Sequence, residues 1–289
     1  MHYKIKFQLS LVLSAILLCM ECSTPKNLVN YSRNYIEVGK VMDSVQLPYT
    51  VDLHRSNKHL IAVGISHTYD NNNPQIAALK KLYLNFKPDI TINEGGQITK
   101  TFGIEKEAVE QNGEIGLVKY LSDLDHKPLI NGDIEDSLEF KLMLKKYPKE
   151  DLFLYYIMER LVIPYLNGAY GDKPFDQLYA KALQKWFIKE GFPVDKDLQD
   201  FEGFKKLYQS KIGHPLELSL NPDIELFDYV NPDCTYCAIG RTSKVLRDSV
   251  LLRKISHELK THDKVMVVFG HGHILAIEPA LKRMFLWKP

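Results

Sequence analysis

The tetrapeptide Gly-x-x-His occurs twice in this chain, each time directly after a short apolar run. The first copy is Gly64-Ile65-Ser66-His67, after Leu60-Ile61-Ala62-Val63. The second is Gly270-His271-Gly272-His273, after Val265-Met266-Val267-Val268-Phe269. Apolar runs of this length read as buried strands of an α/β sheet covered on both faces. A third run, Asp89-Ile90-Thr91-Ile92-Asn93, ends in Glu94-Gly95-Gly96. Ligands of such sheets gather beyond the carboxyl ends of the strands. Three strands therefore deliver His67, Glu94 and His273 to one rim. Gly64, Gly95 and Gly270 stand at the strand exits, where a glycine permits a sharp turn and a close backbone approach. The expected class is α/β: a mainly parallel central sheet flanked by helices. Two imidazoles and a carboxylate on one rim can hold a divalent ion or do general acid–base work. The plainer reading makes the histidines turn or capping residues, and Glu94 the partner of a buried arginine.

The stretches between these runs set the connections. Tyr49 to Leu53 reads as a strand joined to the next by the turn Arg55-Ser56-Asn57-Lys58. After His67, Pro74 suits a first helical turn, and Ile76, Leu79, Leu82 and Tyr83 recur at helical spacing. A β-α-β crossover of this kind puts the ends bearing His67 and Glu94 on the same edge of one parallel sheet. Residues 104–123 predict one or two helices broken near Asn112-Gly113. Lys127-Pro128-Leu129-Ile130-Asn131-Gly132-Asp133 reads as a further strand, closed by the acidic turn Asp133, Glu135 and Asp136. Residues 137–225 lack strand alternation. They read as a helical insertion over the sheet edge, whose loop 164–174 could line a pocket mouth.

The N-terminus resembles a targeting segment. Lys4 and Lys6 precede an apolar stretch from Leu9 to Met20, short for a membrane span and typical of a signal peptide. Cys19 and Cys22 follow. The pattern predicts a lipoprotein-type signal over residues 1–22 with lipidation at Cys19, although Leu18 stands where a small residue is usual. Plain secretion and an uncleaved anchor compete with that reading. Residues 23–48 read as a tether and entry segment, and residues 49–289 as the folded domain. Cys234 and Cys237 form the other cysteine pair; in an exported protein a local disulfide is expected. The net charge of +1 gives no footprint for nucleic acid.

The order of motifs resembles the TIKI/TraB/GumN superfamily, whose relatives include erythromycin esterases and ChaN-like haem-uptake proteins. That pattern has a Gly-x-x-His, a Glu-Gly after the next strand, a helix carrying an Arg, and a second Gly-x-x-His. Here these are Gly64 to His67, Glu94-Gly95, Arg247-Asp248 and Gly270 to His273. The resemblance covers residues ~50–135 and ~240–285. By its spacing His273 is the matching imidazole, and His271 a supporting one. It implies hydrolysis of an amide or ester bond, and it implies Arg247 as a group that orients Glu94 or holds a substrate oxyanion. A salt bridge from Arg247 to Asp248 or another acid is the structural alternative. Members act with a metal or with His and Glu alone. In the first case His67, Glu94 and His273 would hold Mn²⁺, Co²⁺ or Zn²⁺ and lower the pKa of a bound water toward ~7. A surface protein binding haem or a metal without catalysis is the alternative. The substrate expected is a small molecule or peptide, with the membrane reached through the lipid anchor.

Overall fold

The computed structural model describes residues 28–286. The targeting segment, with Cys19 and Cys22, lies outside the described residues.

Five strands form one sheet: β1 (Tyr49–Arg55), β2 (Lys58–Ile65), β3 (Ile90–Asn93), β4 (Leu129–Asn131) and β5 (Lys264–Gly270). Their order is β1-β2-β5-β3-β4. β2, β5, β3 and β4 run parallel, and β1 pairs with β2 as an antiparallel hairpin. The expected α/β class and mainly parallel sheet are what the chain forms. Each apolar strand splits its side chains between two cores, because successive residues point to opposite faces. Leu60, Ala62, Val265, Val267 and Phe269 pack on Leu251, Leu252, Ile255, Ile274 and Ile277. Ile61, Val63, Met266 and Val268 pack on Ile76, Leu79, Tyr83 and Val118. Burial on both faces explains why the strands lack polar alternation.

Ten α-helices, with shorter 3-10 and π-helical turns between them, complete the described fold: α1 (Tyr35–Gly39), α2 (Pro74–Phe86), α3 (Glu105–Leu124), α4 (Asp136–Met143), α5 (Lys149–Ile157), α6 (Ile163–Leu166), α7 (Phe175–Ala182), α8 (Phe201–Ile212), α9 (Thr235–Thr261) and α10 (His271–Leu286). The Asn73 side chain caps α2 by accepting from the Gln75 N–H, with Pro74 in the first turn. α3 breaks where the sequence predicts, with Asn112 and Gly113 outside helical geometry. Cys234 caps α9 and is disulfide-bonded to Cys237, as expected for that pair.

The segment before β1 differs from a tether. From Leu28 onward it belongs to the fold: Tyr35 and Val38 are buried against Leu275 and Ala276 of α10. The i, i+3 pair on one short helix gives this segment an apolar face that mixed composition conceals.

Residues 137–225 are mostly helical and build an aromatic core of their own. Phe140 lies at its centre, with ring centroids of Tyr156, Trp186, Phe187 and Phe192 between 5.1 and 5.7 Å away. This unit docks along α9, where Tyr147 bonds to Thr242, Ser243 donates to Glu139, and Lys244 meets Glu159. Arg160 lies in a π-helical turn and holds Glu139 through both carboxylate oxygens. Phe140→Ala is expected to cost about 3–5 kcal/mol, read as a lower midpoint in urea unfolding monitored by far-UV circular dichroism.

Candidate active site

Glu94 is the centre of the rim. It follows β3, which is flanked by β5, and its backbone N–H bonds to Val268 O at 3.2 Å. Oε2 accepts the Gly270 N–H at 2.6 Å, and Oε1 accepts from Arg247 Nη2 at 2.5 Å. Arg247 also reaches Asp133 with Nε and Nη2, at 2.8 and 2.6 Å. The predicted strand-end acid Asp133 is therefore the second partner of this guanidinium, and Asp248 is not a partner. One helical step of roughly 100° separates Asp248 from Arg247 and turns it to another side. Glu135 instead stands at the N-terminus of α4. Side chains of Glu94, Asp133 and Arg247 are 10, 13 and 12 % exposed.

Burial pushes the Glu94 carboxyl up, but Arg247, then His273 and His67, and the Gly270 N–H outweigh it. The carboxyl is held well below the usual range. Burial likewise opposes ionisation of Asp133, and Arg247 outweighs that too. Burial pushes the Arg247 guanidinium down, while Asp133 and Glu94 hold it above its ordinary value.

Both imidazoles approach Glu94 edge-on. His67 Nε2 lies 3.8 Å from Oε2 and His273 Nε2 lies 3.7 Å from Oε1, too far for direct hydrogen bonds. Each ring has a second carboxylate behind it. His67 Nδ1 lies 2.5 Å from Glu114 Oε1, and the other Glu114 oxygen accepts the Thr68 N–H at 3.1 Å. His273 Nδ1 lies 2.6 Å from Asp248 Oδ1, and Tyr35 donates to Asp248 Oδ2 at 2.8 Å. An ionised carboxylate only accepts, so each Nδ1 carries a proton and each Nε2 is turned toward Glu94. His273 Nε2 is buried without a partner. The hydrogen bond to Glu114 raises the His67 pKa against the opposing effect of burial, and Glu94 adds to the rise.

The four residues read from the sequence, His67, Glu94, Arg247 and His273, are thus brought together. Their exposure differs. A cleft of about 310 Å³ is lined by His67, Glu94, Gly95 and Arg247 together with Tyr69, Ile98, Gln111, Asn112, Gly113, Glu114 and Ile115. His273 stands behind Glu94, 4 % exposed. His271 bonds to Ile65 O at 3.2 Å and supports the turn, as expected of it. The insertion contributes no lining residue. It comes near the mouth through Tyr170, whose pKa is raised by burial and by neighbouring Tyr69.

Glu114, Asp248 and Tyr35 were not found from sequence as partners of the histidines. The signal for Glu114 is the break in α3. Gly113 adopts φ +60°, and a Cβ there would lie 2.6 Å from the Thr68 carbonyl oxygen. Only glycine lets the helix restart close enough for Glu114 to reach His67. Gly64 serves a parallel purpose, since a Cβ would meet the His271 Cα at 2.8 Å.

A divalent ion shared by His67, Glu94 and His273 does not fit this arrangement. Each Glu94 oxygen already accepts a hydrogen bond, and a guanidinium supplies the positive charge at Oε1. Among the described residues, the group of three His, Cys, Asp or Glu with ligand atoms all within 4.8 Å of one another is Asp52, His54 and His59, elsewhere on the sheet.

Comparison with protein-family models, curated proteins and solved structures finds no match to this chain.

Replacing Glu114 by Gln should lower the His67 pKa in an NMR imidazole titration. The raised value makes the stability from this pair complete below the unfolded imidazole pKa of about 6.5. That stability is lost as pH rises through the folded value. The stability gap between wild type and Glu114→Gln should therefore shrink as pH increases. Arg247→Ala leaves Glu94 and Asp133 buried together without their cation and should cost about 3–5 kcal/mol, measured by chemical denaturation.

Proposed function

We propose that this chain is a hydrolase of the TIKI/TraB type that cleaves an amide or ester bond with water as nucleophile. The observation that carries the reading is the pairing of His67 with Glu114 at the cleft wall, with Nε2 facing Glu94 and solvent. A carboxylate behind Nδ1 fixes the tautomer and leaves Nε2 as the base, the arrangement used by His–carboxylate pairs in acyl transfer. In this mechanism His67 Nε2 takes a proton as a water oxygen attacks the carbonyl carbon. Arg247, held by Glu94 and Asp133, stabilises the developing oxyanion. The bond to the leaving amine or alcohol then breaks, and His67 returns the proton to it. Glu94, already ionised and doubly bonded, aims Arg247 rather than acting as the base. His273, held by Asp248 and Tyr35, stands behind Glu94 and closes that side of the site to solvent.

The guanidinium already set against Glu94 supports the metal-free form over one using Mn²⁺, Co²⁺ or Zn²⁺. The charged and amide side chains in the lining, His67, Glu94, Gln111, Asn112, Glu114 and Arg247, support a small polar or peptide substrate over haem. The volume suits a small ligand or one residue pair of a chain. We also place the mature protein outside the cytoplasm, anchored through Cys19. Lys4, Lys6 and the apolar stretch before Cys19 support this, as does the Cys234–Cys237 disulfide. No helix among the described residues is long and apolar enough to cross a membrane.

The test is a peptide and ester library assayed with a chelator and with Mn²⁺. Hydrolysis should persist in chelator. His67→Ala should lower kcat by at least about 10²-fold, the scale of general acid–base catalysis. His67 must be neutral to act as a base, so kcat/KM should rise with pH through a midpoint above the ordinary imidazole value. Glu114→Gln should move that midpoint down. Activity abolished by chelator would sink the metal-free form alone. Full activity in His67→Ala, Glu94→Gln and His273→Ala would sink the hydrolase assignment.

A further inference from the structure

At the opposite end of the sheet, the β1–β2 hairpin brings together three metal-ligating side chains that the proposed hydrolysis does not use. The hairpin register sets His54 directly opposite His59, and Asp52 opposite Ile61. Asp52 and His54 are two residues apart on β1, so they share the face that also carries His59. The consequence is convergence on one atom. His54 Nε2 lies 2.9 Å from Asp52 Oδ1, and His59 Nε2 lies 2.8 Å from the same oxygen. The two rings lie against each other, with centroids 3.6 Å apart and planes tilted by 36°. All three ligand atoms fall within 4.8 Å of one another.

We propose that Asp52, His54 and His59 form a binding site for a divalent transition ion of the Zn²⁺ or Cu²⁺ class. Tetrahedral bonds of about 2.0–2.2 Å from zinc to imidazole nitrogen and carboxylate oxygen place neighbouring ligand atoms about 3.3–3.6 Å apart. The separations from Asp52 Oδ1, 2.8 and 2.9 Å, are shorter than that, so the donors must open by roughly half an ångström to admit the ion. Two imidazoles and one carboxylate select Zn²⁺, Cu²⁺ or Ni²⁺ over Mg²⁺ and Ca²⁺, which favour all-oxygen shells.

The donors rest on a firm base. The His59 N–H bonds to Asp263 O at 2.7 Å, and its ring packs edge-on against Phe86 with centroids 4.7 Å apart. The neighbouring cation Lys58 alternates to the other face and is bound to His262 O and Asp263. Lys264, the β5 partner of His59 in register, has its ammonium bound to the Phe86 carbonyl oxygen at 3.2 Å. The side chains of His54 and Asp52 are 64 and 49 % exposed, so water can complete the coordination from the open side. Three protein ligands with an open position make an accessible site rather than a closed structural one.

From His59 to the end of β2 is six residues, roughly 20 Å of strand. The hairpin site is thus separate from the His67 cleft, and its ion would take no part in the chemistry there. What it would do is tie edge strand β1 to β2 beside the turn. An ion that binds the folded chain and not the unfolded one raises stability by mass action.

The experiment is Zn²⁺ titration by calorimetry on untagged, chelator-stripped protein, with Mg²⁺ and Ca²⁺ as controls. Wild type should take up one Zn²⁺ and show a higher Tm with it, and Mg²⁺ and Ca²⁺ should do neither. Asp52→Asn, His54→Ala and His59→Ala should each raise the Kd by at least about tenfold, a floor set by the loss seen when mere supporting groups of metal ligands are removed. His67→Ala should keep the Zn²⁺ uptake and the Tm rise. Since His59 also packs on Phe86, the exposed His54 and Asp52 variants keep the test valid if His59→Ala misfolds. Unchanged Zn²⁺ binding in His54→Ala and Asp52→Asn, or binding lost in His67→Ala alone, would overturn the proposal. Neither result would bear on whether the cleft hydrolyses a substrate.

Discussion

The buried contact between Arg247 and Glu94 is the constraint on which the rest of the rim depends. A carboxylate 10 % exposed at a strand end stays ionised only with compensation. Arg247 provides the charge, and the Gly270 N–H provides the second hydrogen bond. Those two partners come from different elements, α9 and the end of β5. Asp133, just beyond β4, holds the guanidinium from the other side. One ion cluster therefore ties β3, β4, β5 and α9 together where their side chains meet the cleft. Because the cluster is largely dry, salt screens it weakly. The rim is accordingly a structural joint, unlike a solvated loop whose side chains can be replaced at little cost.

The two imidazoles have equivalent partners and unequal positions. Each has a carboxylate behind Nδ1 and Glu94 in front of Nε2. His67 leaves the sheet at β2, borders the cleft, and has a half-exposed side chain. His273 begins a helix that buries it under Tyr35 and Phe269. Proton exchange with a substrate requires reach, so the exposed ring is the one suited to it. The duplication of Gly-x-x-His in sequence is thus a duplication of turn geometry. It is not a duplication of exposure.

The helical insertion influences this arrangement through α9. Its aromatic core packs on Ile239 and Leu246, while Arg247 and Asp248 sit one and two residues beyond Leu246. Glu139 and Glu159 meet Ser243 and Lys244 one turn earlier. The insertion therefore fixes the helix that delivers both the cation of Glu94 and the carboxylate of His273. It does this without supplying the cleft's lining side chains.

Much of the fold could be read from periodicity alone. The apolar runs of β2, β3 and β5 announce burial on both faces. Asn73-Pro74 announces a helix start, and Asn112-Gly113 announces the break in α3. The same logic placed His67, Glu94 and His273 at one rim, because strand ends of a parallel sheet share an edge. Sequence alone could not give the strand order, which puts β5 between β2 and β3 and so seats Glu94 between the two imidazoles. Nor could it pair Arg247 with Asp133 rather than with its neighbour Asp248, since adjacent helical residues diverge by about 100° and their partners lie on other elements. Glu114, Asp248 and Tyr35 stayed hidden for the same reason: each meets its histidine across 47, 25 and 238 residues respectively. Local pattern fixes which face a residue occupies. Which charge it meets there is decided by packing between distant segments, and the tertiary structure alone supplies that.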